Sequence, residues 1–197
     1  MKKKKKNASS NNFRWIFFTL IPIITIIIII QFRRIVMPTN EEIIQYIKNV
    51  NSYSTKIEYT IRNSKGNYVE EVEAKYNKGN GMTVIFPDNK IKIYKDEFIS
   101  INEKNLEYDL NSDSDLLFPL GFINKILEGN ISNIDEKTEE WGDIKYLDID
   151  IELDSKNNHM KKIKVYINKG DKTPILIKVF DKDNCEKVTI KFKDFNF

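Results

Sequence analysis

Three carboxylates, Asp148, Asp150 and Glu152, recur at every second residue, which places them on one face of an extended chain about 6 to 7 Å apart. Two carboxyl groups at such a separation are the raw material of glycoside hydrolysis, one protonating the leaving oxygen and the other activating water or attacking directly. The surrounding residues give them a simpler role. Leu147, Ile149, Ile151 and Leu153 alternate with the acids, and after a turn at Asp154 to His159 the next run, Lys162, Ile163, Lys164, Val165 and Ile167, has a basic polar face. Pairing Glu152 with Lys162 and Asp150 with Lys164 sets opposite charges across an antiparallel ladder, which contributes about 0.2 to 1 kcal/mol per pair and helps to fix register. Solvated strand charges account for the acids, and no catalytic residue is assigned.

His159 is the single histidine and Cys185 the single cysteine. His159 falls in a polar turn, whereas Cys185, at a strand start, is expected to be partly buried as a small hydrophobe. One of each leaves little for a metal site, and a lone cysteine cannot close an internal disulfide. The sequence has no CxxC, HExxH, Walker-type, GxGxxG or G-x-S-x-G run, the spacings that zinc, nucleotide and acyl-transfer chemistry require. The expectation is a non-enzymatic chain with no metal and no cofactor.

What must position any site begins with an unbroken apolar run from Trp15 to Phe32. It comprises Trp15, Ile16, Phe17, Phe18, Leu20, Ile21, Ile23, Ile24, Ile26, Ile27, Ile28, Ile29, Ile30 and Phe32, with Thr19, Pro22, Thr25 and Gln31 between them. As a helix, eighteen residues extend roughly 27 Å, close to the hydrocarbon thickness of a bilayer. A cleaved secretory signal would have a shorter apolar core followed by small residues, but Arg33, Arg34, Ile35 and Val36 follow instead, and no cysteine stands where a lipid would attach. The run is therefore read as a retained anchor. Lys2 to Lys6 and Arg14 precede it, and this excess of cations keeps the N-terminus in the cytoplasm. The same block, read alone, could be a nucleic-acid arm; ahead of a span it is a topology signal.

The expected organisation is a basic cytoplasmic tail (1–14), a transmembrane anchor (15–32), a linker (33–39) and an extracytoplasmic domain (40–197), so the protein is placed in the cell membrane as a single-pass chain. Of the formal net charge of +3, the six cations before the run together with Arg33 and Arg34 supply +8, leaving the exported part near −5. An acidic domain is a poor ligand for nucleic acid, whose binding rests on phosphate neutralisation.

Within that domain Thr39 or Asn40 can cap a helix with Glu41 and Glu42 in its first turn and Ile43, Ile44, Ile47 and Val50 on one face. From Tyr53 the period is two. Regular turns then predict six strands up to Leu110, a helix beginning near Asp115 and capped by Ser112 or Ser114, and five strands from Ile131 onward. The predicted class is α+β: an N-terminal transmembrane helix, then a large antiparallel sheet with its apolar face lidded by two amphipathic helices.

That order, the turns S-K-G and K-G-N-G, the edge-like stretch Met82 to Tyr94 (MTVIFPDNKIKIY) and the terminal Phe-Lys-Asp-Phe resemble the LolA/LolB superfamily of lipoprotein carriers, and within it the GerS-related germination proteins of spore formers. The resemblance implies a LolA-like incomplete β-barrel of about eleven strands closed by helices. In carriers the apolar side shelters acyl chains; in the GerS branch the fold is implied to bind a cortex-modifying amidase during sporulation and germination. Two readings follow. The first is a membrane-anchored extracytoplasmic module for a protein partner. The second is a lipid or lipoprotein carrier with a cleft lined by Ile57, Tyr59, Met82, Val84, Phe86, Ile93 and Phe118, residues equally suited to a filled core.

Overall fold

The computed structural model describes residues 20–32, 38–95, 97–104, 106–138, 144–153 and 157–197. The chain divides into two compact units, 1–39 and 40–197. In the first, helix α1 (20–32) carries a row of large apolar side chains, Leu20 through Phe32, that are all exposed. Thirteen helical residues are about 20 Å long, and no helix among the described residues is long and apolar enough to cross a membrane. The remaining residues of the expected span, Trp15, Ile16, Phe17, Phe18 and Thr19, lie outside the described residues.

The second unit opens with α2 (Asn40–Lys48). Glu41 and Glu42 in its first turn and Lys48 in its last complement the helix dipole, and Ile43, Ile44 and Ile47 are buried on one face. Asn40 Oδ1 accepts a hydrogen bond from Lys169 Nζ at 3.1 Å, so the helix start is tied to the sheet.

Six strands follow: β1 (Ser52–Asn63), β2 (Gly66–Asn77), β3 (Gly81–Ile85), β4 (Ile91–Tyr94), β5 (Phe98–Glu103) and β6 (Leu106–Asn111). Five more come after the central break: β7 (Asn130–Lys137), β8 (Tyr146–Glu152), β9 (Lys162–Asn168), β10 (Pro174–Phe180) and β11 (Glu186–Asn196). They form one antiparallel sheet in the order β6-β5-β4-β3-β2-β1-β11-β10-β9-β8-β7. The first meander runs outward from β1 to the edge strand β6, the second runs inward from the edge strand β7 to β11, and the two join where β1 pairs with β11. The edges are therefore β6 and β7. The stretch Met82 to Tyr94, expected to look like an edge, forms the interior strands β3 and β4, because two further strands continue the meander beyond it.

Alternation decides the faces. In β1, Tyr53, Thr55, Ile57 and Tyr59 are buried while their neighbours are not, and Ile57 pairs with Val72. The resulting inner face is covered by α2 and by the segment after β6. That segment departs from the expected single helix: it consists of two short 3-10 turns, Ser112–Ser114 and Phe118–Gly121, and one α-helical turn, α3 (Ile123–Ile126). Pro119 cannot donate to a preceding turn, and Gly121 sits where any larger residue would strike Tyr59 and Ile57. The caps also differ, with Asn111 and Asp115 accepting the backbone N–H groups in place of the two serines.

The charge ladder is as expected: Asp150 pairs with Lys164 and Glu152 with Lys162, and Lys162 and Lys164 reach Asp150 at 3.0 and 3.1 Å. Asp148 is the exception. It is buried rather than solvated, held between Lys137 and Lys164, because Tyr146, Tyr166 and Leu176 form a second small apolar cluster on this outer face.

Candidate functional site

The residues expected to line a cleft divide into three groups. Ile57, Tyr59, Met82 and Val84 are almost completely buried within the main core. Phe86 and Phe118 pack at its margin, half-buried. Ile93 is on the other side of the sheet: it pairs with Thr83, while Met82 and Val84 pair with Tyr94 and Lys92. The inner position that alternation seemed to give Ile93 therefore belongs to Lys92 and Tyr94, a parity that the short strand Ile91–Tyr94 did not reveal.

Side chains fill the inner face from both layers. Tyr59 donates its hydroxyl to the Phe118 carbonyl at 2.9 Å, and its ring meets Phe118 edge-on with centroids 4.9 Å apart. Phe86 meets Phe118 in the same way, also at 4.9 Å. Deeper, Tyr53 stacks between Tyr76 and Phe195 at 5.2 and 4.9 Å and points its hydroxyl at Asn124 Oδ1, 3.3 Å away. Burial pushes both the Tyr53 and Tyr59 hydroxyls well above the usual phenol range, so both are neutral donors that bolt the lid to the sheet.

At the margin lies a polar cluster that the sequence patterns did not single out. Asp115 accepts from Lys92 and from the Tyr94 hydroxyl, the latter at 2.7 Å, and its other oxygen accepts from the backbone N–H of Leu117 at 3.1 Å and of Phe118 at 3.3 Å. The Lys92 ammonium lies 4.7 Å above the Phe118 ring and 5.5 Å above Phe86, a favourable placement for a cation. Burial works to raise the Asp115 carboxyl, but the hydrogen bonds from Lys92 and Tyr94 and the lysine charge prevail and hold it below the usual carboxylate range. Tyr94 is driven upward by its own burial and then by that carboxylate. Asp115 is ionised and Tyr94 neutral, an arrangement suited to fastening the lid rather than moving protons. Its signal in the sequence was the i, i+2 pair Lys92 and Tyr94 followed by an acid at the start of the lid.

Open space occurs elsewhere. A groove of about 500 Å³ lies where β3 ends, lined by Lys56, Glu71, Val72, Glu73, Ile85 and Phe86 among others, and one of about 290 Å³ lies at the β1–β11 bulge beside Thr55 and Asp194. Lys56 and Glu73 face outward, opposite in parity to Ile57 and Val72. His159 is exposed in its turn, as expected, and Cys185 is exposed rather than partly buried, since the tight turn at Asp181 to Asn184 lifts it clear of the sheet.

Among solved structures the chain is similar to an uncharacterized conserved protein from Thermus thermophilus, with 9% identity over 79% of this chain and 85% of that one and a TM-score of 0.52. It is also similar to a chain in the structure of the CwlD amidase from Clostridioides difficile in complex with the GerS lipoprotein, with 19% identity over 100% and 99% of the two chains and a TM-score of 0.48. A LolA superfamily protein, NE2245 from Nitrosomonas europaea, matches with 8% identity over 81% of this chain and 93% of that one and a TM-score of 0.46. No curated protein matches the chain. The family model described as sporulation protein YdcC-like matches residues 13–197, and the chain belongs to that family of YdcC-like sporulation proteins.

Proposed function

We propose that this chain is a membrane-anchored, non-enzymatic accessory factor of sporulation whose unit 40–197 works outside the cytoplasm by binding a protein partner. The observation that carries the reading is the filled inner face. Tyr59, Phe118, Phe86 and Phe122 occupy the side where a LolA-like carrier would shelter acyl chains, and hydrogen bonds from Tyr59 and Tyr53 fasten the lid over it. Beneath the lid the face is filled by its own side chains and has no need of lipid there. Binding then falls to the outer surfaces and edges, and a protein surface is the natural complement. The resemblance to GerS-related proteins supports a cortex-modifying amidase as the partner, and the apolar run Trp15 to Phe32 supports the anchor.

Capture of the tagged full-length chain from crosslinked sporulating cells tests this reading. A discrete extracytoplasmic protein, absent from an untagged control, is the expected result; recovery of the same background as the control would sink it. Native mass spectrometry from mild detergent separates the alternative. The apo mass is expected, and a retained lipid mass would move the assignment to a carrier.

A further inference from the structure

The two edges of the sheet differ. Strand β7 is guarded in the ways that natural edge strands are: a bulge interrupts its register between Ile131 and Asn133, and its end carries Asp135, Glu136 and Lys137. Strand β6 is guarded less: it carries two acids, Glu107 and Asp109, but no bulge and no cation. It pairs with β5 without a register shift from Leu106 to Asn111, it contains neither lysine nor proline, and all six of its residues are exposed. Its other edge has no neighbour in the sheet among the described residues.

The faces of β6 are unlike each other. Leu110 and Tyr108 lie opposite Ile99 and Ile101, which are buried in the core, so Leu106, Tyr108 and Leu110 continue the inner apolar surface past the lid. They remain 67%, 42% and 40% exposed. Glu107 and Asp109 occupy the outer face, where the Ser100 hydroxyl donates to Asp109 at 2.6 Å.

From this we infer that β6 is a docking strand whose free edge takes up an extended segment of a partner protein in which apolar residues alternate with lysine or arginine. The inference rests on the partner-binding reading above and gives it a surface. Backbone groups along the edge supply the ladder, as in other cases of strand addition. Apolar residues of the incoming strand cover Leu106, Tyr108 and Leu110, and its cations face Glu107 and Asp109 across the outer side. A second copy of β6 fits less well. Antiparallel pairing centred on Tyr108 sets Glu107 against Asp109 of the other copy twice over, and like charges directly opposite are destabilising.

The test uses the full chain in neutral detergent micelles and three labelled peptides: an alternating Lys/Val heptamer, its Glu/Val counterpart, and the Lys/Val sequence with a central proline, which lacks the N–H that a ladder needs. Fluorescence anisotropy is expected to show the Lys/Val peptide binding at least tenfold more tightly than either of the others. E107K/D109K, with both substitutions on an exposed strand, is expected to reverse the preference in favour of the Glu/Val peptide, and hydrogen exchange to slow in β6 on binding. Equal binding of the three peptides, a preference that survives E107K/D109K, or protection confined to other strands would overturn the docking strand. So would a wild-type dimer in sedimentation that L106S/Y108S disperses, which would assign the edge to a second copy. Capture from cells keeps the two claims apart: the same partner recovered by wild type and E107K/D109K removes the docking strand alone, whereas no partner with wild type removes the reading beneath it.

Discussion

Asp115 holds four groups in one place, because a single carboxylate receives Lys92, Tyr94 and two backbone N–H groups of the lid while sitting 11% exposed beside a lysine that is 14% exposed. Removing its charge leaves Lys92 partly desolvated and unpaired, and Asp115→Asn is expected to cost about 2 to 4 kcal/mol in urea unfolding, near the range for breaking one side of a buried pair. The pH dependence has a definite sign. A carboxyl held below its ordinary value of about 3.9 stabilises the fold fully above that value and loses the contribution as pH falls through the folded value. The difference in Tm between wild type and Asp115→Asn is therefore expected to be constant near neutrality and to narrow below about pH 4; a gap that widened on acidification would contradict the assignment. Asp148 provides the contrast. It is more deeply buried, yet its partners Lys137 and Lys164 are 46% and 28% exposed and can turn to water when the charge is removed. Asp148→Asn is expected to cost less than Asp115→Asn, about 1 kcal/mol, in line with pairs that solvent can replace.

The lid elements depend on close approach more than on helix propensity. A Cβ on Gly121 would strike the Tyr59 hydroxyl and come within 3.0 Å of Ile57 Cδ1, and Tyr59 is fixed by its bond to the Phe118 carbonyl. Gly121→Ala is therefore expected to destabilise by about 1 to 3 kcal/mol, as overpacking does, measured by urea unfolding with loss of the Tyr59–Phe118 contact; a stabilised variant would mean that the lid stands further off. The same closeness explains what the sequence discloses and what it withholds. The six and five strands are legible because turns such as Asn63 to Asn67 and Lys78 to Gly81 interrupt a period of two, and the Asp150–Lys164 register is legible because charge alternates against Leu and Ile on both strands. The lid reads as one helix because Leu116, Leu120, Ile123 and Leu127 have helical spacing. Pro119 and the Gly121 contact break it into short turns, and contacts made across 59 residues of chain leave no local trace. Ile93 is misplaced by alternation for a related reason: in four residues with apolar side chains at Ile91, Ile93 and Tyr94, the pattern alone cannot tell which parity faces the core, and pairing with β3 decides it. The polar margin at Lys92 and Asp115 stays hidden with it.

At the scale of the whole molecule the proposed topology predicts that unit 40–197 lies outside the cytoplasm, and the chain carries its own reporter. Cys185 is the single cysteine, it is exposed in the turn before β11, and it lies far along the chain from the apolar run that is read as the anchor. A charged maleimide that does not cross membranes can reach it only from the side that unit 40–197 occupies. On the proposed topology, in which Lys2 to Lys6 and Arg14 keep the N-terminus in the cytoplasm, the full chain expressed in intact bacterial cells is expected to be labelled at Cys185 without lysis, and Cys185→Ser to abolish the label. It should also stay with the membrane fraction through alkaline carbonate extraction, which strips peripheral proteins but not spanning helices. Labelling that needs lysis would put the sheet in the cytoplasm and end the proposed encounter with an extracytoplasmic partner, whatever the behaviour of β6. Labelling in intact cells combined with release by carbonate would be a different failure, placing the unit outside but unanchored, and the exposed apolar helix 20–32 would then need another surface to cover it.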